Sequence, residues 1–315
     1  FKQKGCLCRT EEERMAFKYI NPGYAELLST SGGTTVTGEQ YSKTGVSFWQ
    51  PSKERGVELS EVPTEFYGKF DLYILGVKGR DDVDFSFGIG YQNGIYLRGY
   101  RSLTFSGLAG TSSLFYQSDI AEIIPMYAMS TVWLHIKQGN ENNGILHVIV
   151  NDHEFCNKRD INLSYDSRTI KIFSDNNRAL ISNLILSDAP IDPREQIALL
   201  PITATQTNMT DCGDGSYEAT AAGQELLQTV DVSSLISQYG GNSRVVSIAP
   251  FAKPAYRTAE GLCALTAIEK GGGTITEQGR HIVGQDTAGY VMGAYDTPLR
   301  IAELAERQFG WRAGT

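Results

Sequence analysis

Apolar and polar positions alternate most regularly over residues 131–155. On the first arm Val132, Leu134 and Ile136 share one face, while Trp133, His135 and Lys137 share the other. On the second arm Leu146, Val148 and Val150 alternate with Ile145, His147 and Ile149, and a polar run, Gln138–Gly144, joins the two. A period of two in residues rich in Val, Ile and Trp, interrupted by Gly and Asn, predicts a β-hairpin.

The same pattern recurs at short intervals. Strands are expected at residues 45–49, 65–75, 83–90, 95–100, 102–106, 113–116, 169–174 and 180–187, with Gln92-Asn93-Gly94 as a hairpin turn. Two prolines within Asp188–Pro193 break the pattern, because proline resists both helix and central strand. Residues 193–210 then read as a connector or joining strand. Beyond them, strands are expected at 224–232, 244–249, 262–269 and 274–283, the last two flanking the turn Lys270–Gly273. Residues 232–239 suit one or two helical turns. Arg300–Arg307 is the helix candidate, with Ile301, Leu304 and Ala305 on one side. Many short strands and few helix-length amphipathic runs predict an all-β, antiparallel sandwich followed by a second, smaller β-rich domain. The expected division is 1–14 leader, 15–192 sandwich, 193–210 connector and 211–315 C-terminal domain.

Composition narrows the function. The 315 residues are 41% hydrophobic and 20% charged, as in ordinary globular proteins. A net charge of -8 argues against a general nucleic-acid binder, which needs a basic face to offset phosphate. No apolar run is long enough to span a bilayer, so no membrane insertion is expected. The five cysteines, Cys6, Cys8, Cys156, Cys212 and Cys263, lack the even count and regular spacing of a disulfide framework and read as reduced thiols.

The order F-D-L-Y-I, W-L-H-I-K, G-I-L-H-V-I-V-N-D, K-I-F-S and I-S-N-L-I-L-S-D-A-P-I-D resembles the concanavalin A-like and laminin G-like jelly rolls. In those modules a strand carrying Trp precedes one that ends in an Asn-Gly or Asn-Asp turn. The resemblance spans residues 16–192, and it is closest to the versions carried by bacterial prophages and cell-surface proteins. It implies a recognition module whose ligand is a glycan or cell-surface component, with a homo-oligomer or other virion proteins as further partners.

Motifs that would carry chemistry are mostly absent from the sequence. The Glu-x-Asp-x-Glu strand of the retaining glucanases in this superfamily has no counterpart here. Asp81, Asp82 and Asp84 crowd a turn, where acids are usually solvated; Ca2+ binding is the alternative, and no other cofactor is implied. Gly88–Gly94 misplaces the third glycine of a dinucleotide fingerprint, and Glu39 stands where a P-loop needs Lys. His135 and His147 can approach across their hairpin, but two histidines without a third ligand read as a half-buried sheet face. Trp49 and Trp133 are expected at or near the core. Tyr91, Asn93, Tyr96, Arg98, Tyr100, Arg101 and Tyr116 are the candidate ligand-binding residues, since Tyr rings stack on sugars while Arg and Asn bind hydroxyls.

These observations favour a non-catalytic recognition protein on a virion or bacterial surface, made in the cytoplasm without a signal peptide. An architectural decoration subunit and an atypical glycoside hydrolase or lyase are the alternatives. Residues 1–14 lack structural periodicity, and their consecutive Glu codons before Met15 read as a translated ribosome-binding site. Mass spectrometry of the native protein is expected to find Met15, or the residue after it, at the N-terminus; peptides from residues 1–14 would refute this.

Overall fold

Period-two segments become two stacked antiparallel sheets. The computed structural model describes residues 18–23, 25, 28, 33–49, 56–59, 62–75, 83–89, 95–100, 104–109, 112–117, 123–165, 168–174, 179–248, 251–252, 264–271, 274–282, 288–289 and 298–314. Its first fourteen strands are β1 (Lys18–Asn21), β2 (Thr34–Thr37), β3 (Val46–Trp49), β4 (Gly56–Glu58), β5 (Glu65–Ile74), β6 (Val83–Ile89) and β7 (Ile95–Tyr100), then β8 (Thr104–Ala109), β9 (Ser112–Gln117), β10 (Met129–Lys137), β11 (Gly139–Val150), β12 (His153–Leu163), β13 (Thr169–Ser174) and β14 (Ala179–Ser187). The larger sheet runs β12-β11-β10-β5-β14-β3-β2, with β1 also on β14; the smaller runs β4-β13-β6-β7-β8-β9. The chain crosses between sheets after β3, β4, β5, β9, β12 and β13, which makes an all-β, concanavalin A-like jelly-roll sandwich.

The core lies between the sheets. Val132, Leu134, Ile136, Leu146, Val148 and Val150 all point into it, as their alternation predicts. Phe70 of β5 stacks on Phe87 of β6 with centroids 5.0 Å apart, and both rings are fully buried. Stacked aromatics add to the large area that each ring removes from water.

β5 departs from simple alternation, because its outward Lys69, Asp71 and Tyr73 are buried as well. Tyr73 packs edge-on against Tyr41, with centroids 5.3 Å apart, and the segment after β14 covers Lys69. Ile191 and Ile197 pack against Ile185, with Ile20 and Tyr67 alongside. Lys69 Nζ donates to the carbonyls of Pro193 (2.7 Å) and Glu195. Burial pushes the Lys69 pKa down, and the Asp71 charge offsets part of that. Asp71 in turn accepts from Thr131 Oγ1 (2.6 Å) and Asn183 Nδ2 (2.5 Å), so this buried carboxylate is satisfied on both oxygens.

A third, five-stranded sheet follows. It orders Ile202–Thr207, Glu225–Val230, Arg307–Gly314, Ala264–Gly271 and Thr274–Ile282 side by side. Helix α1 (Val232–Tyr239) is capped by Asp231, whose Oδ1 accepts from Ser234 N (3.1 Å). Its Leu235 packs with Val230, Ile248, Ile301, Leu304 and Phe309 into a separate core. Strand spacing is tight enough that a Cβ on Gly310 would stand 1.8 Å from the Leu226 carbonyl oxygen, so only glycine fits.

Four details differ from the sequence reading. β12 was not expected beyond Phe155, because it is an edge strand whose exposed E-x-x-N-K-R-D positions hide the period. Residues 139–144 of the polar run are drawn into β11, with irregular pairing between Gly139 and Gly144. Ile301–Glu306 forms a 3-10 turn, because the chain extends again at Arg307. Trp133 lies on the outer face of the larger sheet, and its indole N–H donates to the Ile191 carbonyl (3.1 Å). Among the described residues no helix is long and apolar enough to cross a membrane. Cys156 is buried and Cys212 exposed, each as a free thiol. The leader 1–14 lies outside the described residues.

Truncating a fully buried aromatic costs its transfer free energy and leaves a cavity. Phe70→Ala is therefore expected to lower unfolding stability by about 3–5 kcal/mol, read by denaturant titration.

Candidate functional site

The outer face of the larger sheet carries a polar and aromatic array fixed by strand register. Tyr67 lies opposite His135, His135 opposite His147, and His147 opposite Asn157. These four positions form one row across β5, β10, β11 and β12. On one side of it stand Lys69, Trp133, Ile149 and Glu154; on the other stand Glu65, Lys137 and Ile145. Directly opposed residues on one face sit close enough to interact pairwise.

The contacts are specific. His135 Nε2 donates to Glu65 Oε1 (2.7 Å), and the Tyr67 hydroxyl donates to the same oxygen (3.0 Å). Lys137 Nζ lies 3.7 Å from Glu65 Oε2. The Tyr67 ring stacks on the His135 imidazole, with centroids 4.2 Å apart and planes at 10°. The second histidine has its own carboxylate: His147 Nε2 meets Glu154 Oε2 at 2.9 Å, and Asn157 Nδ2 donates to that oxygen at 3.0 Å. Trp133 and His147 form a T-shaped pair, with centroids 5.2 Å apart. The two imidazoles are 14% and 17% exposed, so both are reached from solvent only along the sheet face.

Burial and bonding set the charge states. Burial raises the Glu65 pKa, but the bonds from His135 and Tyr67, with the charges of His135 and Lys137, outweigh it and hold the carboxyl below its usual range. Burial pushes the His135 pKa down, only partly opposed by the Glu65 bond, so the ring is neutral at pH 7. Burial, with the bond to ionised Glu65, pushes the Tyr67 phenol up to about 12. Glu65, His135 and Tyr67 thus combine a fixed anion, a neutral imidazole and a protonated phenol. Among the described residues, no three His, Cys, Asp or Glu gather as a metal site.

Of the candidate residues named from the sequence, those that are described fall on the smaller sheet. Tyr96, Arg98 and Tyr100 occupy alternate positions of β7, and Tyr116 is in β9. Register sets Arg98 opposite Ser86 and Ser106, and Ser106 opposite Tyr116, so four strands share that row. Tyr91, Asn93, Arg101, Asp81 and Asp82 lie outside the described residues, while Asp84 falls in β6. The sequence reading took His135 and His147 as a half-buried sheet face and looked for the ligand around Tyr91–Tyr116. It missed Glu65 and Tyr67, although E-F-Y-G-K-F-D puts Glu65, Tyr67, Lys69 and Asp71 on one face.

No protein-family model matches the chain, and no curated protein matches it in sequence. Among solved structures, the chain is similar to an endo-β-1,4-glucuronan lyase from the fungus Trichoderma reesei. That match has a TM-score of 0.36 and 11% identity, and covers 53% of this chain and 94% of that one. It is also similar to alginate lyase Aly36B (TM-score 0.30, 17% identity, covering 49% and 79%). A third is the carbohydrate recognition domain of Emp46p in potassium-bound form (TM-score 0.29, 12% identity, covering 56% and 90%). The expectation of a non-catalytic protein is corrected here, since polysaccharide lyases stand among these structures beside a recognition domain. At these scores the likenesses assign no chemistry to this chain.

A group whose pKa is depressed on folding contributes stability that is present above its unfolded pKa and lost as pH falls. His135 and Glu65 both have this sign. Stability is expected to fall as pH drops below the ordinary histidine value of 6.5, and again below the ordinary glutamate value of 4.5. His135→Gln should flatten the upper part of that profile and Glu65→Gln the lower part, as read by thermal unfolding against pH.

Proposed function

We propose that this chain is a carbohydrate-binding protein that takes a glycan across the outer face of its larger sheet. The observation that carries this is the row Tyr67–His135–His147–Asn157 with Trp133 beside it. Sugar rings present C–H faces that suit the Tyr and Trp surfaces, while the Glu154 and Asn157 side chains and the imidazoles can bind hydroxyls. Three inter-strand spacings give the row a length of ~14 Å, enough for a short oligosaccharide. The register row Arg98–Ser106–Tyr116 on the smaller sheet favours a second reading, in which the ligand lies there. We place such a protein on a virion or bacterial surface, alone or with other copies of itself; immunolabelling of intact particles and cells tests that placement.

A glycan array followed by calorimetry is expected to return a ligand. Trp133→Ala and His147→Ala should each weaken it about tenfold, equivalent to roughly 1.4 kcal/mol, while Arg98→Ala leaves it unchanged. The reverse ranking would move the site to the smaller sheet. No ligand, with stable oligomers in solution, would favour an architectural subunit.

A further inference from the structure

We propose that the Glu65–Tyr67–His135 cluster is a proton-transfer centre that cleaves an acidic, uronate-containing glycan by β-elimination. This rests on the reading that the same face binds glycan. Glu65 binds His135 Nε2–H and the Tyr67 hydroxyl through one oxygen and lies beside the Lys137 ammonium at the other. An ionised carboxylate so engaged cannot act as a leaving-group acid, and hydrolysis by a carboxylate pair requires one held protonated. What Glu65 does instead is fix the imidazole tautomer. With Nε2–H turned to the carboxylate, Nδ1 is the basic nitrogen, and it has no bond among the described residues.

A neutral imidazole base stacked on a protonated phenol suits removal of a proton from carbon together with delivery of a proton to oxygen. Imidazole can abstract such a proton only where a neighbouring carboxyl acidifies the carbon, as at C5 of a uronic acid. Lys137, 42% exposed at the end of the cluster, supplies the cation for that carboxylate. In the step, His135 Nδ1 takes the C5 proton and the C–H electron pair forms the C4=C5 double bond. The bond from C4 to its glycosidic oxygen breaks, and that oxygen takes the Tyr67 proton. The imidazolium then returns its proton to the phenolate through water, which restores both groups without a further reactant. The groups facing His135 are Glu65 and Tyr67 from β5, Lys137 from its own strand and His147 from β11.

The test uses the full chain with polyglucuronate, polymannuronate and polygalacturonate, and with their carboxyl-reduced counterparts. Binding is measured by calorimetry, and cleavage by the ultraviolet absorbance of the unsaturated uronate and by new reducing ends. The expected result is absorbance from at least one uronan and none from the reduced polymers. His135→Ala should lower the rate by about 100-fold or more. Tyr67→Phe keeps the stacked ring and should retain binding while losing the absorbance signal. Glu65 is a positioning residue: its charge raises the His135 pKa, so Glu65→Gln should lower the rate and move the acid limb of the rate profile to lower pH. Binding without cleavage would overturn the elimination and leave the binding face standing. Reducing ends without absorbance would overturn it in favour of hydrolysis. Absence of binding to every polymer would remove both.

Discussion

β5 is buried from two directions, and the outer face of the larger sheet takes its form from that constraint. Inward, Phe70 closes the core against Phe87. Outward, Lys69 and Asp71 would be costly to bury alone, since a charge removed from water needs partners in the protein. The carbonyls of Pro193 and Glu195 receive the ammonium, while Thr131 and Asn183 receive the carboxylate. The Lys69 bonds, with that of the Trp133 indole, hold the chain after β14 over one half of the face. The half beyond Trp133 is left to the two imidazoles and their carboxylates.

The electrostatics of the uncovered half follow from one shared acceptor. Glu65 Oε1 takes hydrogen bonds from both His135 and Tyr67, so the tautomer of the first and the proton of the second depend on a single anion. A neutral amide in its place would keep the packing and lose that dependence. The second pair, His147 with Glu154, stands one strand further out, where Glu154 is more than half exposed. Similar chemistry is thus offered twice, in a sheltered setting on β10 and a wetter one at the edge.

Most of the sandwich was legible because period two is local. Val132, Leu134, Ile136, Leu146, Val148 and Val150 face the core as their alternation requires, and the His135–His147 approach followed from the hairpin itself. What β5 contributes was not legible. Glu65 meets His135 across 70 positions of sequence, and nothing local shows that β5 lies beside β10. The same distance misplaced Trp133: an aromatic on a strand suggests the interior, but Ile191, just after β14, gives its outward indole a carbonyl partner. β12 escaped notice for the opposite reason, since an exposed edge strand has little apolar signal to read. Of the residues named from the sequence, the register links Arg98 and Tyr116 through Ser106, and that row remains a rival location for the ligand.

The tether between the sandwich and the C-terminal sheet has a mechanical meaning. The polypeptide leaves β14, passes the Trp133 indole at Ile191 and then the Lys69 ammonium at Pro193 and Glu195 before entering the next sheet. Tension drawn along the chain from its C-terminal side would reach those bonds before it reached the β14 ladder. A pull on the C-terminal sheet would therefore load Trp133 and Lys69 first, and through Trp133 it would bear on the row of histidines.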